Sequence, residues 1–128
     1  MLIATWIITG IVAAINLAAG GGKASTPWPQ LQDKMPWTTT TGKGPAYFAA
    51  WSEVVGAVGA IVPLILAHTV DGWEWAGWVS FAAVLGLTVI QVLAIGLHAK
   101  LKEFKALPVN VVLLGLGVAS MVLIAVTL

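Results

Sequence analysis

The stretch Ala46 to Ala67, "AYFAAWSEVVGAVGAIVPLILA", runs for 22 residues with one charged side chain, the carboxylate of Glu53. A membrane-crossing helix needs about 20 mainly apolar residues, each rising 1.5 Å, to span a hydrocarbon core of about 30 Å. This segment meets that requirement, and so do three others. Leu2 to Ala19 is apolar apart from Thr5, Thr9 and Asn16; Trp75 to Leu97 holds Gln91; Val109 to Leu128 holds Asn110. Composition agrees: 59% of the 128 residues are hydrophobic and 9% are charged, with a mean hydropathy of +0.98. Soluble proteins carry roughly 25% charged residues, so the bilayer is the solvent here. The expected fold is an all-α integral membrane protein, a four-transmembrane-helix bundle forming a single domain over residues 1–128, with a long connection over 20–45.

Local signals mark the ends of the spans. The triple glycine before Lys23 is read as ending the first, Pro45 as opening the second, and Pro108 as opening the fourth, where a missing N–H costs least. Pro63 falls inside the second span, where it predicts a kink. No Lys or Arg precedes the first apolar run, so that run is read as a retained helix and not as a signal peptide.

The six lysines fall in two connections only: Lys23, Lys34 and Lys43 between spans one and two, and Lys100, Lys102 and Lys105 between spans three and four. Four spans put those connections on one side, and the positive-inside rule makes that side cytoplasmic. The expected location is the inner membrane with both termini outside. Trp6, Trp73, Trp75 and Trp78 then supply an outer aromatic belt, and Trp51 lies towards the inner one. The connection "GKASTPWPQLQDKMPWTTTTGKG" is longer than a bundle needs. It is expected to lie on the membrane surface or to fold back over the bundle, with Trp28 and Trp37 as a lid.

Helical spacing assigns the polar residues to faces. Ala49, Ser52, Glu53, Gly56, Gly59, Ala60 and Pro63 share a face of small residues, the type on which membrane helices approach closely, so Glu53 is directed into the bundle. Thr9, Asn16 and Gly20 share a face of span one; Thr88, Gln91, Ile95 and His98 of span three; Asn110, Gly117 and Ser120 of span four. Glu53 lies roughly 12 Å and Gln91 roughly 10 Å in from the cytoplasmic end, with Asn16, His98 and Asn110 shallower. This places a polar pocket in the cytoplasmic half, with Glu53 as its anchor, Asn16, Gln91, His98 and Asn110 in support, and Lys23 at the mouth. Asn16, Gln91 and Asn110 equally suit interhelical hydrogen bonds worth about 0.6 kcal/mol each, and His98 beside Lys100 suits an interfacial role. An ionisable group inside the membrane costs on the order of 3 kcal/mol, which marks Glu53 as a functional candidate.

Several chemistries find no support. The chain has no cysteine, so it carries no thiol or disulfide chemistry of its own. The triple glycine lacks the spacing of a phosphate loop, and no Ser/His/Asp set has catalytic spacing. His68, Asp71 and Glu74 are read as a solvated turn and not as a metal site. There is no basic run for nucleic acid. No catalytic residue is assigned.

Particular motifs resemble the DoxX-like family of small bacterial membrane proteins. The first span runs into Gly-x-x-Lys at Gly20 to Lys23. The second carries "EVVGAVGAIVP", Glu53 to Pro63, which is similar to the family's E-x-x-G-A-x-G-L-x-x-P. The third ends in "GLHAKLKEFKALPVNVVLL", Gly96 to Leu114, with the family's His, basic turn and Pro before the last helix. Lys23, Glu53, Gly56, Pro63, His98 and Pro108 correspond by position. The resemblance implies a four-helix membrane bundle. It also implies association with thiosulfate:quinone oxidoreductase subunits, with an oxidoreductase complex of oxidative-stress resistance, or, in animal relatives, with receptor chaperoning.

The expectation drawn from residues and resemblance together is a membrane subunit or adaptor without catalysis of its own. It would hold a small amphipathic or quinone-like molecule, or a partner's helix, in the inward-facing pocket. The alternatives are a quinone-linked oxidoreductase subunit, with Glu53 and His98 relaying protons to a bound quinone cofactor, and a small transporter. The expected partners are the lipid bilayer and a membrane-protein partner or a second copy of the chain.

Overall fold

A computed structural model describes residues 1–128. Four long helices cross the bundle: α1 (Leu2–Ser25), α4 (Lys43–Thr69), α5 (Ala76–Lys100) and α6 (Leu107–Thr127); two short ones, α2 (Trp28–Lys34) and α3 (Trp37–Thr41), fill the long connection. Each long helix is apolar enough to cross a membrane. In hydrocarbon every backbone N–H and C=O must be satisfied within its own segment, which is why these apolar runs resolve into helices and not into strands with open edges. Pro45 sits in the first turn of α4 and Pro108 in that of α6, where their missing N–H groups have no intrahelical acceptor to lose.

The helices form a ring in which α1 adjoins α4 and α6, and α5 adjoins the same two. Neighbours are antiparallel, so the lysines gather at one end and Met1 and Leu128 at the other. At the terminal end hydroxyls join α1 to α6: Thr9 Oγ1 lies 2.6 Å from Ser120 Oγ, and Thr5 Oγ1 lies 3.4 Å from Thr127 Oγ1. Beside them Ala60, Leu64, Val84 and Ile124 form a closed apolar core capped by Trp6, Phe81 and Met121. Trp73, Trp75 and Trp78 are exposed at this end, whereas Trp6 turns inward and packs edge-on against His68, with ring centroids 5.6 Å apart. Trp6 is half-buried and packs against this core.

Two sequence expectations are corrected. The glycines at 20–22 do not end the first span; α1 continues to Ser25 and stops before Pro27. The reason is tertiary. A Cβ at Gly20 would lie 2.6 Å from the Ala50 carbonyl oxygen, so glycine serves here as a contact surface for α4 and not as a helix stop. The small face of α4 is also rotated from its expected centre. Ala46, Ala50, Glu53, Ala57, Ala60, Leu64 and Ala67 are buried, while Ala49, Ser52, Gly56, Gly59 and Pro63 are half-buried. Helix α4 has two neighbours, and its small residues are divided between them: Ala50 and Glu53 meet α1, and Gly56 and Gly59 meet Leu87 and Ala83 of α5.

The long connection is helical and folds back against the lysine end. Leu31 of α2 and Thr38 of α3 are buried, and the Tyr47 hydroxyl donates to the Thr26 carbonyl at 2.5 Å. Gly42, at φ 89°, supplies the left-handed turn into α4 that a side chain would oppose.

Candidate functional site

The bundle is packed at the terminal end and hollow at the lysine end. A cavity of about 600 Å³ lies among α1, α4, α5 and α6, with Lys34 to Trp37 of the α2–α3 connection across its mouth. Its walls are mainly apolar, including Ile15, Phe48, Ile90, Leu97, Val109 and Leu113, and a few polar groups converge on it: Lys23, Ser52, Glu53, Gln91, His98, Glu103 and Asn110. Apolar walls with a few placed polar groups at this volume are the usual constitution of a small-molecule site.

Most of these polar groups are held in one ion pair, one histidine–carboxylate contact and one amide chain. Lys23, in the last turn of α1, pairs with Glu53 on α4, and both side chains are largely buried. Lys23 is on this face because α1 continues past the glycines: Gly20 brings α1 onto Glu53, and Lys23 follows one turn later. The Lys23 ammonium also sits 5.8 Å from the centroid of the Trp37 ring, which links the pair to the cavity mouth. On the opposite wall His98 Nδ1 meets Glu103 Oε1 at 3.1 Å, and the His98 ring lies edge-on to Trp37 with centroids 6.1 Å apart.

Between them is Gln91. Its Nε2 donates to Asn16 Oδ1 at 3.5 Å, and Asn16 Nδ2 donates to the Val12 carbonyl at 2.8 Å. Gln91 Oε1 is buried and accepts no hydrogen bond from the protein. An unpaired buried acceptor costs about 1–3 kcal/mol, and of the three buried polar atoms without a partner, His68 Nε2, Ser80 Oγ and Gln91 Oε1, this one belongs to a side chain that lines the cavity.

Of the residues selected from sequence, Lys23, Glu53, Gln91, His98, Asn110 and Trp37 line the cavity. Two do not. Asn16 is buried behind Gln91 and acts on the cavity only by orienting that amide. Trp28 packs against Tyr47, with ring centroids 6.1 Å apart, so of the long connection Lys34, Met35, Pro36, Trp37 and Thr41 line the cavity and Trp28 does not. Sequence reasoning missed Ser52 as a lining group and Glu103 as the partner of His98. Ser52 could have been found one residue before Glu53 on the same face. Glu103 is brought back by the turn after α5, in which Lys102 adopts φ 59° and the Glu103 N–H bonds the His98 carbonyl at 2.8 Å; nothing in the sequence specifies that turn. Glu53 and His98, the two groups a proton relay would use, are each engaged by a different partner. No three His, Asp or Glu side chains converge as a metal site.

An all-α integral membrane bundle with a cavity walled off at one end is the class that fold and site define. The chain belongs to the DoxX-like family, whose sequence profile matches residues 7–120. No curated protein and no solved structure matches it.

Proposed function

We propose that this DoxX-like chain is a membrane subunit or adaptor without catalysis of its own that binds a small amphipathic molecule in the cavity at its lysine end. The observation that carries this reading is a cavity of about 600 Å³ with apolar walls, lined by a Gln91 side chain whose buried Oε1 has no partner. The cavity suits a small molecule better than a partner's helix, because α2 and α3 already cover its mouth. The apolar walls take the body of the ligand and Gln91 takes a donor on its head. Glu53, neutralised by Lys23, supplies a second polar contact, and Trp37 closes behind.

The same reading places the chain in a bacterial inner membrane, with the lysine-bearing end towards the cytoplasm and Met1 and Leu128 outside. The support is the confinement of every Lys to that end of the bundle. Native mass spectrometry with lipid extraction on the purified wild type and on Gln91→Leu tests the binding. A stoichiometric small molecule in the wild type that is depleted in the variant is the expected result. An empty bundle in both would sink the reading.

A further inference from the structure

The cavity is not the only hollow between α4 and α5. A second, shallower groove runs along the lipid-facing side of these two helices, formed by Trp51, Val55 and Gly59 on α4 and by Val79, Ala83 and Gly86 on α5. Its floor is low because of small residues: a Cβ at Gly86 would meet nothing within 4 Å. The lining spans Phe48 to Gly59 on α4 and Val79 to Ile90 on α5, a length of about 16 Å at the helical rise. At the lysine end Phe48, Ser52 and Ile90 line both the groove and the cavity. Phe48 is 75% exposed, so the boundary between the two spaces lies at the outer surface of the bundle.

We infer that the ligand of the cavity is a single-chain lipid with a neutral hydroxyl head group. It enters sideways between α4 and α5, and its tail remains in the groove. This rests on the binding reading above and deepens it. The occupant of the groove follows from the residues it shares with the cavity: a head bonded to Gln91 would send its chain out past Phe48 and Ile90, which line both spaces, and an extended chain fits a furrow about 16 Å long between two helices. The head group follows from the acceptor. Gln91 Oε1 requires a donor, and the adjoining Glu53 carboxylate is paired with Lys23, so the pair leaves no unmatched charge beside it for an ionic head. Because the entrance faces hydrocarbon, the ligand is drawn from the membrane and does not cross water.

The test is photolabelling in phosphatidylcholine vesicles with two diazirine-bearing probes, hexadecanol and octanol, with the methyl ether of hexadecanol as control. The expected result is that octanol labels the cavity, and that hexadecanol labels both the cavity and the Trp51–Gly59 and Val79–Leu87 segments. Gly86→Phe should lower hexadecanol labelling of the groove by at least roughly tenfold, as several methylene contacts are lost, and leave octanol labelling unchanged. The retained octanol signal shows that the variant is folded. The methyl ether, lacking a donor, should label the cavity weakly. If octanol labels the cavity but hexadecanol marks all four helices evenly, or ignores Gly86→Phe, the lateral-entry inference falls while the binding reading stands. If the ether labels as well as the alcohol, the head-group assignment falls. If neither alcohol labels the cavity, the binding reading itself falls.

Discussion

Gly20 on α1 lies so close to Glu53 on α4 that a Cβ at position 20 would come within 2.7 Å of the Glu53 Cβ. That contact sets the spacing of the two helices and puts Lys23, three residues on, within reach of the carboxylate. The neighbouring atoms are a Cβ and the backbone of Ala50 and Val54, none of which can swing aside. Gly20→Ala should therefore cost about 1–3 kcal/mol by overpacking. Gly21→Ala, with open space around its Cβ, should be neutral or stabilise by about 0.5–1 kcal/mol through helix propensity. Unfolding in mixed micelles checks both, and equal effects at the two positions would contradict the close approach.

The two members of the Lys23–Glu53 pair should not be equivalent. Loss of Lys23 leaves a carboxylate whose side chain is 5% exposed without its cation, and removing one partner of a buried pair costs about 3–5 kcal/mol. Loss of the carboxylate leaves an ammonium on a long stem in the last turn of α1, from which it can reach the interface. Lys23→Met is thus expected to destabilise more than Glu53→Gln, and the double variant to recover part of the loss. A double-mutant cycle measures the asymmetry; additive single effects would rule out the coupling.

Gln91→Leu removes one unsatisfied acceptor but takes from the buried Asn16 Oδ1 its donor, so stability should change little while binding weakens. The expected loss of affinity for a hydroxyl-bearing amphiphile is roughly fivefold to tenfold, one hydrogen bond of about 1–1.4 kcal/mol. Asn16→Leu should act in the same direction but less, because it only releases the Gln91 amide from its orientation. Titration of octanol into the reconstituted protein, read by Trp37 fluorescence, checks the order of the two effects.

The tryptophans of the long connection should separate by function. Trp37 contacts both Lys23 and His98 at the mouth, so Trp37→Ala should accelerate ligand release. Trp28→Ala should leave the release rate unchanged and loosen only the packing on Tyr47. Stopped-flow dissociation distinguishes them.

Because the native chain has no cysteine, single cysteines report topology without background. Asp71→Cys should react with an impermeant maleimide in intact cells, and Lys34→Cys only after the membrane is opened. The reverse pattern would invert the proposed orientation and turn the cavity mouth outward.

Much of this molecule is legible in its sequence, and the boundary is physical. The four apolar runs determine four helices, because lipid offers no partner for an unpaired backbone group and each run must satisfy its own. Helical periodicity also directs Glu53, Gln91, His98 and Asn110 inward, since a period of 3.6 residues depends on the helix alone. Which helix each face meets does not. The triple glycine reads locally as a stop, yet Gly20 is a docking surface and α1 runs on to Ser25. Asn16 and Gln91 carry the same kind of amide, but one is buried behind the other, and Trp37 lines the cavity where Trp28 does not. Those outcomes depend on the order of the ring, on the fold of α2 and α3 and on the turn that returns Glu103 to His98. Contacts between residues distant in the chain are fixed only when the helices pack, and in this protein they decide which buried polar atoms, Gln91 Oε1 among them, are left without a partner.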